Sequence, residues 1–316
     1  MHFWNRERHS SFLSPVSVLA ASLYAVAHVP SNIGFKPQID MENRLVVDTF
    51  QKQKPKDILV LDEFKNPLVS VDLDCVPDIS HGNFVSKIIE DEFPNANIEK
   101  MNISACDLKD NYKEADLKLK KIHKEVKNGK NIDAINISMG AAVAFDEFNK
   151  FSGMDISSEN LASKAREIKD YLLLNKDKKI KLAGIGKSDI AGIVSFIDNI
   201  DSLSSKGAKV YVSAGNSGDD AFNLFSLIDN STSVGALNSC GEKASYSCDN
   251  SLVTRWENGD VECKKVDGGI SWTDDNNVDI EKKNISNIAT IPPLLDIRGT
   301  SFASPRALVK DLKEEK

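Results

Sequence analysis

Gly299-Thr300-Ser301-Phe302-Ala303-Ser304-Pro305 sets a hydroxyl nucleophile among small residues, just ahead of a run to Leu312 that reads as a helix. Pro305 is expected in the first turn of that helix, where its missing N–H is no loss. Ser301 then stands at a helix N-terminus, where unpaired N–H groups and the helix dipole favour negative charge. A serine so placed can attack a carbonyl and have the oxyanion held by its own N–H. Gly-Thr-Ser taken alone reads as a helix cap in preference to a nucleophile motif. The chemistry therefore needs a base, an orienting acid and a second oxyanion donor elsewhere in the chain.

Residues of those types stand at the ends of predicted elements. Asp57-Ile58-Leu59-Val60-Leu61 reads as a buried parallel strand that ends on Asp62. Phe84, Val85, Ile88 and Ile89 fall at helical spacing, so His81 opens a helix. Gly207-Ala208-Lys209-Val210-Tyr211-Val212-Ser213 is a strand running into Ala214-Gly215-Asn216-Ser217-Gly218, where Asn216 either tolerates a left-handed turn or aims an amide at an oxyanion. Further strands are expected at 96–103, 132–140 (running into small residues) and 231–237, and helices at 109–130, 158–175 and 188–205. Alternating strands and helices predict an α/β fold, a doubly wound, mostly parallel sheet flanked by helices. Gly184, Gly186 and Lys187 lack phosphate-loop spacing and read as a turn. Residues 245–279 read as hairpins and loops.

The 316 residues are 41% hydrophobic and 28% charged, and the net charge of −7 speaks against a nucleic-acid partner. Arg6, Arg8 and His9, the apolar run Phe12–Tyr24 and Ala25-Val26-Ala27 predict a signal peptide over residues 1–27. That implies an exported chain with no membrane span after signal removal. Residues 28–56 form an N-terminal extension and 57–316 the main domain. Among the five cysteines, a bridge within Cys240, Cys248 and Cys263 is expected. No metal site is expected: no C-x-x-C pair or histidine cluster suggests zinc. No cofactor is expected either, and Asp274, Asp275 and Asp279 fit no EF-hand spacing for calcium.

The order Asp62, His81, Asn216, Ser301 resembles that of the subtilisin-like serine proteases, the subtilases. Ile58-Leu59-Val60-Leu61-Asp62 resembles the family's aspartate strand, Ser80-His81-Gly82 its histidine motif, and Ile135-Asn136-Ile137-Ser138-Met139-Gly140 its substrate-lining strand. Val212-Ser213-Ala214-Gly215-Asn216 matches its oxyanion turn, and Gly299–Pro305 its serine motif, with Phe302 where Met is usual. The resemblance covers about Asp57 to Leu312. It implies a subtilisin-like catalytic domain in which Ser301 is nucleophile, His81 base, Asp62 orienting acid and Asn216 oxyanion donor. Ser138, Met139, Gly140, Ala214 and Gly215 would bind a polypeptide substrate. Residues 141–206 are longer than usual and imply a helical insertion. Glu63-Phe64 stands where the family has Ser or Thr followed by Gly, Asn83-Phe84 where it has Thr-His, and Arg306 where it has His. Two readings stay open: an exported serine endopeptidase, and a subtilase fold that binds peptides or proteins without cleaving them. A serine esterase is the weaker third, since G-x-S-x-G is absent. Control by an inhibitor or regulatory partner is left open.

Overall fold

Ile58-Leu59-Val60-Leu61 is apolar at every position, so a strand there must be covered on both faces. The computed structural model describes residues 55–64, 80–103, 108–176, 190–266, 269–273 and 294–314. They belong to one compact unit, Pro55–Lys316. The predicted signal peptide (1–27) and residues 28–54 of the extension lie outside the described residues, as do Gly184, Gly186, Lys187, Asp274, Asp275 and Asp279. Among the described residues, no helix is long and apolar enough to cross a membrane.

In chain order the elements are β1 (Asp57–Asp62), α1 (His81–Glu92), β2 (Asn97–Asn102), α2 (Leu108–Lys127), β3 (Ala134–Ile137), β4 (Ala142–Ala144), α3 (Phe145–Ser152), α4 (Leu161–Leu174) and α5 (Ile190–Ser204). Then come β5 (Lys209–Ser213), β6 (Ala221–Asn223), a 3₁₀ turn (Leu224–Leu227), β7 (Ser231–Leu237), β8 (Val253–Asn258), β9 (Asp260–Val266), β10 (Gly269–Thr273), β11 (Leu294–Arg298) and α6 (Thr300–Glu314). Among the described residues the main sheet has six strands in the order β2-β1-β3-β5-β7-β8, every neighbouring pair parallel. β10-β9-β11 form a small antiparallel sheet, and β4 pairs with β6.

Side-chain alternation sorts the core into two layers. Leu59, Leu61, Ile135, Ile137, Val210 and Val212 face one side, under α2, α4 and α5. Ile58, Val60, Ala134, Tyr211, Val234 and Ala236 face the other, against α1 and α6. The 141–206 stretch contributes Phe148, Leu161, Ile168, Leu172, Ile193 and Ile197 to the first layer, so its helices belong to the principal core. The expected bridge within Cys240, Cys248 and Cys263 does not form. Cys240 is an exposed free thiol and Cys248 a buried one, so neither is bridged.

Gly259 joins the sheet to the start of α6. Its N–H donates to Leu237 O at 2.9 Å and its carbonyl accepts from Gly299 N at 3.0 Å. A Cβ on Gly259 would lie 2.6 Å from Ala236 Cβ and 3.0 Å from Gly299 O, neither of which can swing away. Gly259→Ala is expected to lower the unfolding free energy by about 1–3 kcal/mol, the usual cost of overpacking. Denaturant titration checks this, and an unchanged midpoint would contradict the contact.

Candidate active site

Asp62 ends β1, Ser138 follows β3, and Ala214–Asn216 follow β5, so all lie at the carboxyl edge of the parallel sheet, where such folds form their crevices. His81 and Ser301 enter this edge on α1 and α6. Ser80 caps α1 by accepting Asn83 N–H, which fixes His81 in the first turn. Gly82 N–H donates to Glu63 O at 2.8 Å, tying α1 to the end of β1. A Cβ on Gly82 would stand 2.7 Å from the Phe64 ring, so a side chain there would displace that ring.

The structure brings Asp62, His81 and Ser301 into one chain of hydrogen bonds. His81 Nδ1 donates to Asp62 Oδ1 at 2.6 Å, and Ser301 Oγ donates to His81 Nε2 at 2.8 Å. The carboxylate acceptor fixes the tautomer that leaves Nε2 as a base. The Phe302 ring lies 5.3 Å from the imidazole and braces it. Asp62 is almost wholly buried, while the His81 side chain keeps 26% exposure. Asp62 Oδ1 also accepts Glu63 N–H, and Oδ2 is buried without a hydrogen-bond partner among the described residues. Burial raises the Asp62 pKa above 3.8, against the lowering effect of His81. Burial alone would lower that of His81. The Asp62 carboxylate, with its hydrogen bond, and the charge of Glu63 outweigh it and hold His81 above 6.5.

Asn216 is exposed beside Ser301. Its Oδ1 accepts from Thr300 N and Thr300 Oγ1, each at 2.9 Å, which assigns the amide and leaves Nδ2 turned away from Thr300. A Cβ on Gly299 would fall 2.8 Å from Ser301 Oγ and 3.3 Å from Asn216 Nδ2. Glycine thus keeps open a space that a nucleophile and an amide donor both reach. Ser301 is the second residue of α6, so its N–H has no acceptor within the helix.

Pro305 departs from expectation. It is the sixth residue of α6, beyond the first turn. Its missing N–H would have bonded to Ser301 O, four residues earlier. Ser138 Oγ donates to that carbonyl instead, at 2.8 Å. Asn136 Nδ2 in turn donates to Ser138 Oγ at 2.7 Å, and Asn136 Oδ1 accepts from Ser304 Oγ at 2.8 Å. Sequence reasoning missed Asn136, Thr300 and Ser304. The i, i+2 spacing of Asn136 and Ser138 on a strand opposite a proline-bearing helix was the available signal.

Of the residues expected to meet substrate, Gly140 is exposed and Met139 half-buried. Ala214 and Gly215 are buried, and the Gly215 polar groups are used internally, its N–H on Thr300 Oγ1 and its carbonyl accepting from Cys248 N. Among the described residues, no group of three or more His, Cys, Asp or Glu side chains could hold a metal ion.

The site can transfer a proton from Ser301 to His81 only while the imidazole is neutral. Its pKa lies above 6.5, so falling pH protonates it and removes the base. Any Ser301-dependent rate is therefore expected to fall on the acid side with a midpoint above pH 6.5. Glu63→Gln removes one of the charges that raise the pKa and is expected to move that midpoint to lower pH. A pH profile of probe labelling reads both; an unmoved midpoint would discount the influence of Glu63.

No protein-family model and no curated protein matches the sequence. Among solved structures the chain is similar to subtilisin-like proteases. A cold-adapted subtilisin-like serine proteinase is 13% identical, with 83% of this chain and 77% of that chain covered and a TM-score of 0.43. MycP1 with its N-terminal propeptide removed is also 13% identical, over 84% and 79%, with a TM-score of 0.46. The nisin leader peptidase NisP from Lactococcus lactis is 12% identical, over 83% and 78%, with a TM-score of 0.46.

Proposed function

We propose that the chain is a subtilisin-like serine endopeptidase. One observation carries this reading: the chain of hydrogen bonds from Asp62 Oδ1 through His81 to Ser301 Oγ. Ser301 Oγ attacks the scissile carbonyl while His81 Nε2 takes its proton. Asp62 stabilises the imidazolium through Nδ1–H. Asn216 Nδ2 and the Ser301 N–H receive the oxyanion in the space beside Gly299. His81 then hands its proton to the leaving amine. An acyl group remains on Ser301, and water, activated by the same imidazole, releases it. The exposed backbone at Gly140, beside Met139, offers an extended peptide an edge next to the nucleophile.

The test is a fluorophosphonate probe and an unfolded protein substrate, applied to the wild-type chain, Ser301→Ala and His81→Ala. Labelling and cleavage are expected in the wild type and absent in Ser301→Ala. Triad members act as a unit, so His81→Ala should lose nearly as much, on the order of 10⁶ in kcat, the size known for subtilisin's own serine and histidine. A wild-type chain that neither labels nor cleaves would sink the proposal in favour of peptide binding without hydrolysis. Ester turnover without peptide cleavage would point to an esterase.

A further inference from the structure

The turn Ala214–Gly218 carries Asn216 on its outer side, and the segment Ser245–Cys248 runs beneath it. Gly218 N–H donates to Tyr246 O and Cys248 N–H to Gly215 O, each at 2.9 Å. The Cys248 thiol is fully buried and clusters with Ala214 and Ala221. Its sulfur lies 3.1 Å from where a Cβ on Gly215 would stand, so it fills the space directly against the Gly215 backbone. Gly215 holds a φ of +105°, open to glycine and strained for other residues. Cys248 thus packs against the residue that precedes Asn216. From the opposite side, Thr300 holds Gly215 N–H and Asn216 Oδ1.

We propose that Cys248 is a positioning residue for the oxyanion donor: its thiol fills the underside of the Gly215–Ser217 turn and fixes where Asn216 aims its amide. This rests on the serine-protease reading of the site. The thiol does no chemistry of its own. Burial pushes its pKa up, so it stays a neutral, compact filler with a weak acceptor face. Truncation would leave a cavity under a backbone whose φ is already unusual, and the turn can then settle toward it. An amide donor displaced by a fraction of an ångström loses much of its grip on an oxyanion while leaving ground-state peptide contacts in place.

A double-mutant cycle tests this on the full chain, using wild type, Cys248→Ala, Asn216→Ala and the double variant. Measured are kcat and KM on a peptide substrate and the rate of fluorophosphonate labelling, well below each variant's melting temperature. Cys248→Ala is expected to lower kcat by about 10–10²-fold, as small misplacements do. KM should stay within about twofold, because ground-state binding is untouched. In the Asn216→Ala background the same change should cost almost nothing, because the group it positions is gone. Cys248→Ser, which keeps an acceptor and most of the volume, should recover most of the rate. An equal loss in both backgrounds would mark a merely structural role and overturn the proposal, as would an unchanged rate in Cys248→Ala. Should Cys248→Ala fail to fold, Cys248→Val takes its place in the cycle, keeping bulk but not the acceptor. A loss confined to the Asn216 background then supports the proposal, and an equal loss in both backgrounds, or none in either, overturns it. A wild-type chain that does not label overturns the catalytic reading itself.

Discussion

A single absent hydrogen holds the site together. Pro305 cannot donate to Ser301 O, and a buried carbonyl left unpaired costs about 1–3 kcal/mol. Ser138 meets that demand, and Asn136 dictates how. Because Asn136 Nδ2 already donates to Ser138 Oγ, the hydroxyl's own hydrogen is left to point at Ser301 O. Ser304 donates to Asn136 Oδ1 and closes the loop back onto α6. Asn136, Ser138 and Ser304 are all buried, so water offers no substitute for any member. The result is a directional clamp between β3 and the backbone of Ser301 itself.

The strand period then decides which side of the sheet the site occupies. Ile58 and Val60 face α1 and α6, and Asp62 continues that alternation. Ala134 faces the same way, and Asn136 and Ser138 follow it at two-residue steps. A slip of one residue in β1 or β3 would send carboxylate and clamp to the opposite layer, under α2 and α5. The all-apolar Leu59, Leu61, Ile135 and Ile137 on that layer make such a slip costly, since polar groups would replace them in the core. Hydrophobic packing on one face thus fixes the register of chemistry on the other.

Much of this was legible in the sequence. Asp62 closing an apolar run, His81 opening an amphipathic helix and Ser301 among small residues follow from local pattern, and the structure brings the three together. What local pattern could not supply was partnership across the chain. Pro305 reads as a first-turn proline until Ser138, 163 residues away from Ser301, is seen to take the bond it forgoes. Cys248 reads as half of a bridge until it is found under Gly215, while Cys240 faces solvent. Gly215 is expected to meet substrate, and within the fold Thr300 and Cys248 use its polar groups. In each case spacing specifies a residue's options, and a distant neighbour selects among them.

Glu63 illustrates the same selection. A hydroxyl-bearing residue at that position, as the subtilases have, could serve the carboxylate through its side chain. Here position 63 serves it through the main chain: its N–H donates to Asp62 Oδ1, and its carbonyl accepts Gly82 N–H. Backbone groups are indifferent to the side chain they carry, so the position tolerates a carboxylate at the same fold. Tolerance has an electrostatic consequence. Asp62 Oδ2 keeps no hydrogen-bond partner among the described residues, and a second negative charge sits beside the imidazole. Both changes act on proton affinity and leave the Oδ1–Nδ1 and Nε2–Oγ distances within hydrogen-bonding range. The geometry of this hydrogen-bonded trio and its titration are thereby separable. Main-chain bonds and the β3 clamp set the first, and the side chain at position 63 adjusts the second.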